Sequence, residues 1–495
     1  MSIEQLYEIF LRHPQVTTDS RHCPEGSIFF ALKGDTFNGN RFAAAALQNG
    51  CSYAVIDEPQ QITSPSFLIA GLSRDLRDCG SEAAMRGGVP NRAGAYDNGQ
   101  YIIVPDVLTT LQDLAHMHRE HFRGPVLQIT GTNGKTTTKE LVSTVLSQKY
   151  NVLYTQGNLN NHIGVPLTLL RLTSDHDIAV IETGANHPGE IKTLANIVDP
   201  DYGLITNVGV AHIEGFGSFE GVKNTKGELY DYLRDKSIFI NNEDSNLVEM
   251  ATTRGFRLND NAIPYVEARV LECAPFLKLE WKQTMLNAES IASGSSVVSE
   301  AGVDSEEPRE RSGNAQCSML NVIQTHLIGA YNIANIRAAI TVGLHFGVEP
   351  DRICAAIEGY VPSNNRSELR TTERNQLIVD AYNANPSSMR SALDNFALIA
   401  PPEGMAKMLI LGEMRELGAV SEQEHTNVIE QIKSMFNKDS VWLVGENFQR
   451  LNPPFRTFPS VEEVKAHLRT NPVTSHLILI KGSNGTHLFE LPEYL

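Results

Sequence analysis

Val126-Leu127-Gln128-Ile129-Thr130, followed by Gly131-Thr132-Asn133-Gly134-Lys135-Thr136-Thr137, is the stretch on which the fold turns. The first part reads as a buried strand, and Thr137 onward (TTKELVSTVLSQ) has helical periodicity. A glycine-bearing turn between strand and helix is the context a phosphate-binding loop requires. Glycines let the backbone wrap a phosphate with its N–H groups pointing inward, and the helix N-terminus adds a favourable dipole. Lys135 is placed to reach the β- and γ-phosphates of ATP, and the Thr136 hydroxyl to ligate Mg²⁺. The spacing is one residue shorter than the common form of this loop. A chance Gly-rich turn does not explain strand, loop, Lys-Thr pair and helix together.

Outward from this loop, apolar strands alternate with helical patterns at 126–130, 152–155, 178–182, 203–207 and 238–241. Such alternation predicts a parallel sheet covered by helices on both faces. A similar open pattern begins near Tyr360, with strands expected at 377–380, 408–411, 441–444 and 477–480. Before the loop, a first unit carries short strands at 27–32, 53–57 and 101–105, then a helix from Leu108 to Phe122 and a Gly124-Pro125 hinge. The expected fold class is α/β in three domains: a small α/β unit (1–106), a central ATPase-like parallel-sheet unit (107–359) and a Rossmann-like unit (360–495). Two stretches, about 61–100 and about 282–321, are poor in apolar residues and read as surface insertions.

A chain of 495 residues is too long for one core. Its formal charge of −17 argues against a nucleic-acid partner, which calls for a basic face. It does not exclude anionic small substrates. The six cysteines are scattered, with no C-x-x-C pair, which fits a reducing compartment and neither zinc nor a disulfide framework. The opening MSIEQLYEIFLRHPQ reads as an amphipathic helix, not a signal peptide, and no run has the length of a membrane span. A cytoplasmic protein is expected.

Further chemistry clusters after the neighbouring strands. Glu182 ends the strand 178–182, at the edge where ligands bind in open α/β sheets, and its hard oxygens suit Mg²⁺. His212, beyond the strand 203–207, is beside these groups a candidate metal ligand or substrate contact. Lys226, on its own, reads as a helix-surface lysine.

Taken together, these residues resemble the Mur ligases. The segments that carry the resemblance are TDSR (18–21), ALKGDTFNG (31–39), TGTNGKTTTKE (130–140), LNNHIGVP (159–166), IETGANHPGEI (181–191), AHIEGFGSFEGV (211–222), HLIGAYNIANIRAA (326–339), Asn365-Arg366, DAYNANPSSM (380–389), LGEMRELG (411–418) and KGSN (481–484). The DAYNANP segment resembles the branch that joins D-alanyl-D-alanine to a UDP-N-acetylmuramoyl-tripeptide with ATP.

The resemblance implies roles. Gly131 to Thr137 would hold ATP phosphates; Thr136, Glu182, His212 and Lys226, the last as a carbamate, would form the magnesium site. Asn332 and Asn335 would face adenine, Arg366 the phosphates and Asp380 the ribose. Lys135, Lys226, His212, Glu182 and Arg366 would be the catalytic set. Thr18, Ser20, Arg21 and Lys33 would meet the uridine nucleotide in a UDP-binding first domain. Asn160, Asn161, Asn383 and Asn385 would contact the other substrate parts. The implied protein is a monomer with no membrane span. Another amide ligase, acting on a different UDP-muramoyl peptide or on folate, and a nucleotide-binding scaffold are the competing readings.

Overall fold

The computed structural model describes residues 1–59, 96–98, 100–211, 213–283, 319–362 and 365–495. Both expected insertions fall largely outside the described residues. Their edges do not: Tyr96–Asn98 forms a strand, and so do Lys282-Gln283 and Met319–Asn321 within longer strands.

The central sheet has six parallel strands in the order Ala262–Pro264, Ser237–Ile240, Tyr202–Ile205, Val126–Thr130, Ile178–Glu182 and Val152–Tyr154. Every residue of Val126–Thr130 is buried, as is every residue of Ile178–Glu182. Two-sided burial explains why both strands are mostly apolar and lack the apolar–polar alternation of a half-exposed strand. Helices Lys135–Leu146, Ile333–His345 and Pro350–Gly359 cover one face, packing Leu141, Val145, Ile336, Ile340 and Ile353 against Leu127 and Ile129.

On the other face, helix Val107–His121 packs Leu111 and Leu114 into a core containing both Ile28, Phe30 and Val55 of the first sheet and Ala179 and Ile181 of the central one. One apolar core therefore runs from the first unit into the second. The buried Arg119 locks this helix: its guanidinium donates to the carbonyls of Phe122, Val198 and Asp199 and pairs with Asp201 at 2.9 Å. The Gly124-Pro125 pair expected to be a hinge is packed instead, since a Cβ on Gly124 would lie 2.2 Å from the Asp177 carbonyl oxygen.

The first sheet runs Val16–Thr17, Ile28–Phe30, Tyr53–Ile56, Tyr101–Ile103 and Tyr96–Asn98, parallel except for its last pair. The C-terminal sheet runs Glu368–Thr371, Gln376–Asp380, His476–Lys481, Ala406–Gly412, Val441–Val444 and Arg456–Phe458, with only the first pair antiparallel. One element was not anticipated. Ala268–Cys273, Phe276–Gln283 and Met319–Ile328 form an antiparallel sheet of three strands. Its middle strand buries Leu277, Leu279 and Trp281 and turns the residues between them outward. Among the described residues, no helix is long and apolar enough to cross a membrane.

Candidate active site

The phosphate loop leaves the sheet at Thr130 and enters helix Lys135–Leu146 through Gly134. Gly131 has φ +142°, and a Cβ there would lie 2.0 Å from Thr206 Oγ1; Gly134 has φ +76° and abuts Asn335 Oδ1 at 2.7 Å. Both positions demand glycine, one by close approach and both by backbone. The loop is held from the next strand. Thr132 N–H donates to the Asn207 carbonyl, Asn133 N–H to Asn207 Oδ1, and the Asn133 carbonyl accepts from Thr206 Oγ1 at 2.7 Å.

Lys135 Nζ bends back to donate to the carbonyls of Gly131 (2.9 Å) and Thr132 (3.0 Å). Burial lowers its pKa, an effect offset in part by the charge of Glu182 and reinforced by Arg366. An ammonium whose partners among the described residues are neutral carbonyls of a cleft is suited to take up an anion.

Glu182 is buried. Its Oε1 accepts from Thr136 Oγ1 (3.2 Å) and Asn160 Nδ2 (2.8 Å), while its Oε2 has no hydrogen-bond partner among the described residues. A buried carboxylate oxygen left unpartnered is costly unless a cation meets it. Among the described residues no cluster of three His, Cys, Asp or Glu side chains makes an all-protein cage. Glu182 with Thr136 fits a Mg²⁺ that takes its remaining oxygens from phosphate and water. His212, expected beside them, lies outside the described residues.

Lys226 sits on helix Phe219–Tyr232 and is only 2% exposed, not on the helix surface. Its pKa is lowered to about 7, first by burial and then by the charge of Lys135, with Glu190 and Glu228 opposing from a distance. Its Nζ stands 5.4 Å from the ring centre of Phe216.

A cavity of about 1000 Å³ opens from the loop toward the C-terminal unit. Thr132, Asn133, Gly134, Lys135, Thr136, Thr137, Asn160, Asn161, Glu182, Asn332, Asn335, Arg366, Asp380, Asn383 and Asn385 all line it. Asn335 and Asn332 belong to a relay in which Thr138 Oγ1 donates to Asn335, Asn335 to Asn332, and Asn332 to the Ile328 carbonyl. Arg366 stacks on Tyr382, its guanidinium carbon 3.7 Å from the ring centre. Asn161 also accepts from the amides of Ile163 and Gly164, and Asn385 caps helix Pro386–Leu398.

Thr18, Ser20, Arg21 and Lys33 are not part of this cavity. They follow the strands Val16–Thr17 and Ile28–Phe30 of the first sheet, where Arg21 pairs with Asp19 (2.9 Å) and Lys33 with Asp57 (2.9 Å). Tyr382, Ser387 and Lys481 are among the cavity residues that the sequence reading of the site does not single out. Lys481 was legible, because a lysine ending a buried apolar strand at a sheet's C-terminal edge is unusual.

Family models describe three parts of the chain: "Mur ligase family, catalytic domain" over 14–119, "Mur ligase middle domain" over 129–343 and "Mur ligase, glutamate ligase domain" over 365–484. The UDP-N-acetylmuramoyl-tripeptide–D-alanyl-D-alanine ligase of Escherichia coli K12 is 32% identical over 437 residues, which cover 87% of this chain and 81% of that protein. The chain belongs to the Mur ligase family. The Bacillus subtilis 168 ligase of the same name is 30% identical, with 83% of this chain and 75% of that protein covered. Among solved Mur ligases, MurF from Acinetobacter baumannii superposes with a TM-score of 0.72 at 26% identity, covering 97% of this chain and 92% of that one. The Mur ligase fold thus accounts for the three α/β sheets.

Proposed function

We propose that the protein joins D-alanyl-D-alanine to the terminal carboxylate of a UDP-N-acetylmuramoyl-tripeptide, using ATP and releasing ADP and phosphate. One observation carries this reading. A single cavity has the phosphate loop as one wall and the Asp380–Pro386 segment, DAYNANP, as the other. The ligases of that name in Escherichia coli and Bacillus subtilis support it.

The γ-phosphoryl group passes to the peptide carboxylate, giving an acyl phosphate and ADP. The free amine of D-alanyl-D-alanine then attacks the acyl carbon, a tetrahedral intermediate forms, and phosphate leaves as the amide is made. Little covalent work falls to the protein, and catalysis is positioning and charge stabilisation. Lys135 exchanges its loop carbonyls for phosphate oxygens, the amides at the start of helix Lys135–Leu146 cradle the same oxygens, and Arg366, held flat by Tyr382, presents its fork to them. Thr136, Glu182, His212 and Lys226 would hold magnesium, which would neutralise phosphate charge when bound. Lys226 would serve as a carbamate: an ammonium repels the metal, whereas a carbamate is an oxygen donor, and burial lowers the lysine's pKa toward the neutral amine from which a carbamate forms. Asn332 and Asn335 take the adenine side, Asp380 the ribose, and the 18–21 and Lys33 region the uridine nucleotide. ATP and a UDP-linked precursor place the enzyme in the cytoplasm.

The test is direct. Purified protein, ATP, Mg²⁺, UDP-muramoyl-tripeptide and D-alanyl-D-alanine should give a product whose mass is the sum of peptide and dipeptide less one water. Ligation of single amino acids but not of the dipeptide would overturn the assignment.

A further inference from the structure

The tip of the phosphate loop is bonded directly to the C-terminal unit. Asn133 Nδ2 donates to Ser387 Oγ at 2.8 Å, Asn385 Nδ2 donates to Asn133 Oδ1 at 2.7 Å, and Ser387 Oγ donates to Asn385 Oδ1 at 2.9 Å. These three bonds close a ring. Both polar groups of the Asn133 side chain are used, while its backbone is fixed by Thr206 and Asn207 at the end of the neighbouring strand. On the other side, Asn385 is the N-cap of helix Pro386–Leu398, its Oδ1 also accepting from Ser388 N–H at 2.9 Å. The ring therefore ties a rigid strand end to a rigid helix start. Glycine at 209 permits the approach, since a Cβ there would stand 3.1 Å from Ser387 Oγ.

We propose that Ser387 is a positioning residue: through Asn133 it sets the C-terminal unit in register with the phosphate loop. The two units contribute opposite walls of one cavity, so whatever fixes their separation fixes the distance between groups bound on each. A planar amide that must satisfy a donor and an acceptor at once tolerates little sliding, which makes the ring a gauge of alignment. The kinetic consequence rests on the ligase reading; the geometry does not.

Hydrogen exchange and steady-state kinetics on the full chain test this together. In Ser387→Ala, the amides of residues 131–134 should exchange faster than in the parent, with no substrate needed. Ligation should slow by about tenfold, the size of one lost hydrogen bond at an aligned site, while nucleotide affinity stays within about twofold. The double variant Asn133→Ala/Ser387→Ala should be no slower than Asn133→Ala alone, because both changes open the same ring. Unchanged exchange, an unchanged ligation rate in Ser387→Ala, or additive losses in the double variant would each overturn the proposal. Faster exchange in Ser387→Ala, in a protein that fails to ligate even as the parent, would support the ring and sink the ligase reading alone.

Discussion

Lys481 Nζ lies 2.6 Å from Asp380 Oδ2, and the two residues are register partners at the ends of adjacent parallel strands. Lys481 is 1% exposed and also reaches the Asn383 carbonyl at 3.4 Å. Removing its charge by Lys481→Met leaves a carboxylate in the cavity wall without its counter-ion. Breaking a buried pair from one side costs about 3 kcal/mol. Thermal unfolding should show the C-terminal unit melting several degrees lower, and Lys481→Met/Asp380→Asn should recover part of the loss. A single variant as stable as the parent would mean the pair contributes nothing.

Lys135→Ala should abolish ATP-dependent phosphate release, with a loss of at least about 100-fold. The fold should survive, because among the described residues the side chain bonds to two carbonyls of its own loop. Phosphate release measured with both substrates present decides it; near-normal turnover would remove the loop from the chemistry.

Lys226→Ala should be inactive and regain part of its activity with added short-chain carboxylates, which supply the oxygen donor that a carbamate would provide. The cavity left by truncating a 2%-exposed lysine gives the small acid room. Activity titrated against acetate or formate measures this, and full activity without them would return Lys226 to a packing role.

His425 gives stability a pH dependence of known sign. Its Nδ1 donates to the Ser421 carbonyl (2.7 Å) and its Nε2 accepts from Met414 N–H (3.0 Å), so the folded protein holds it neutral. Burial lowers its pKa. Above the unfolded value of about 6.5 both states are neutral and the group has no effect. As the pH falls below that value the unfolded chain takes up a proton that the folded one refuses, so stability declines toward pH 5. Urea midpoints from pH 7.5 to 5 should fall less steeply in His425→Gln. Some slope should persist, since burial lowers His118 and His345 in the same way.

Much of the fold was legible because the deciding signals are local. Two-sided burial makes the strands 126–130 and 178–182 mostly apolar without the alternation of a half-exposed strand, and the glycines at 131 and 134 mark backbone that other residues rarely adopt. The antiparallel sheet was overlooked although Phe276–Gln283 alternates buried and outward residues. Its partner strand, Met319–Ile328, is separated by a long polar stretch, and pairing across such a gap leaves no mark in either segment. Lys226 shows the same limit at a single residue: helical spacing gives a side chain's direction, but not what packs over it.

By itself, then, the sequence determined a strand, a glycine-bearing phosphate loop and a helix in that order, because backbone preference and hydrophobic period are properties of neighbouring residues. The tertiary structure alone decided that Asn133 meets Ser387 across 254 positions and that Asp380 meets Lys481 across 101. Those distances follow from how separate apolar cores stack. The stacking energy is spread over many side chains, none of which names the polar pair it brings together.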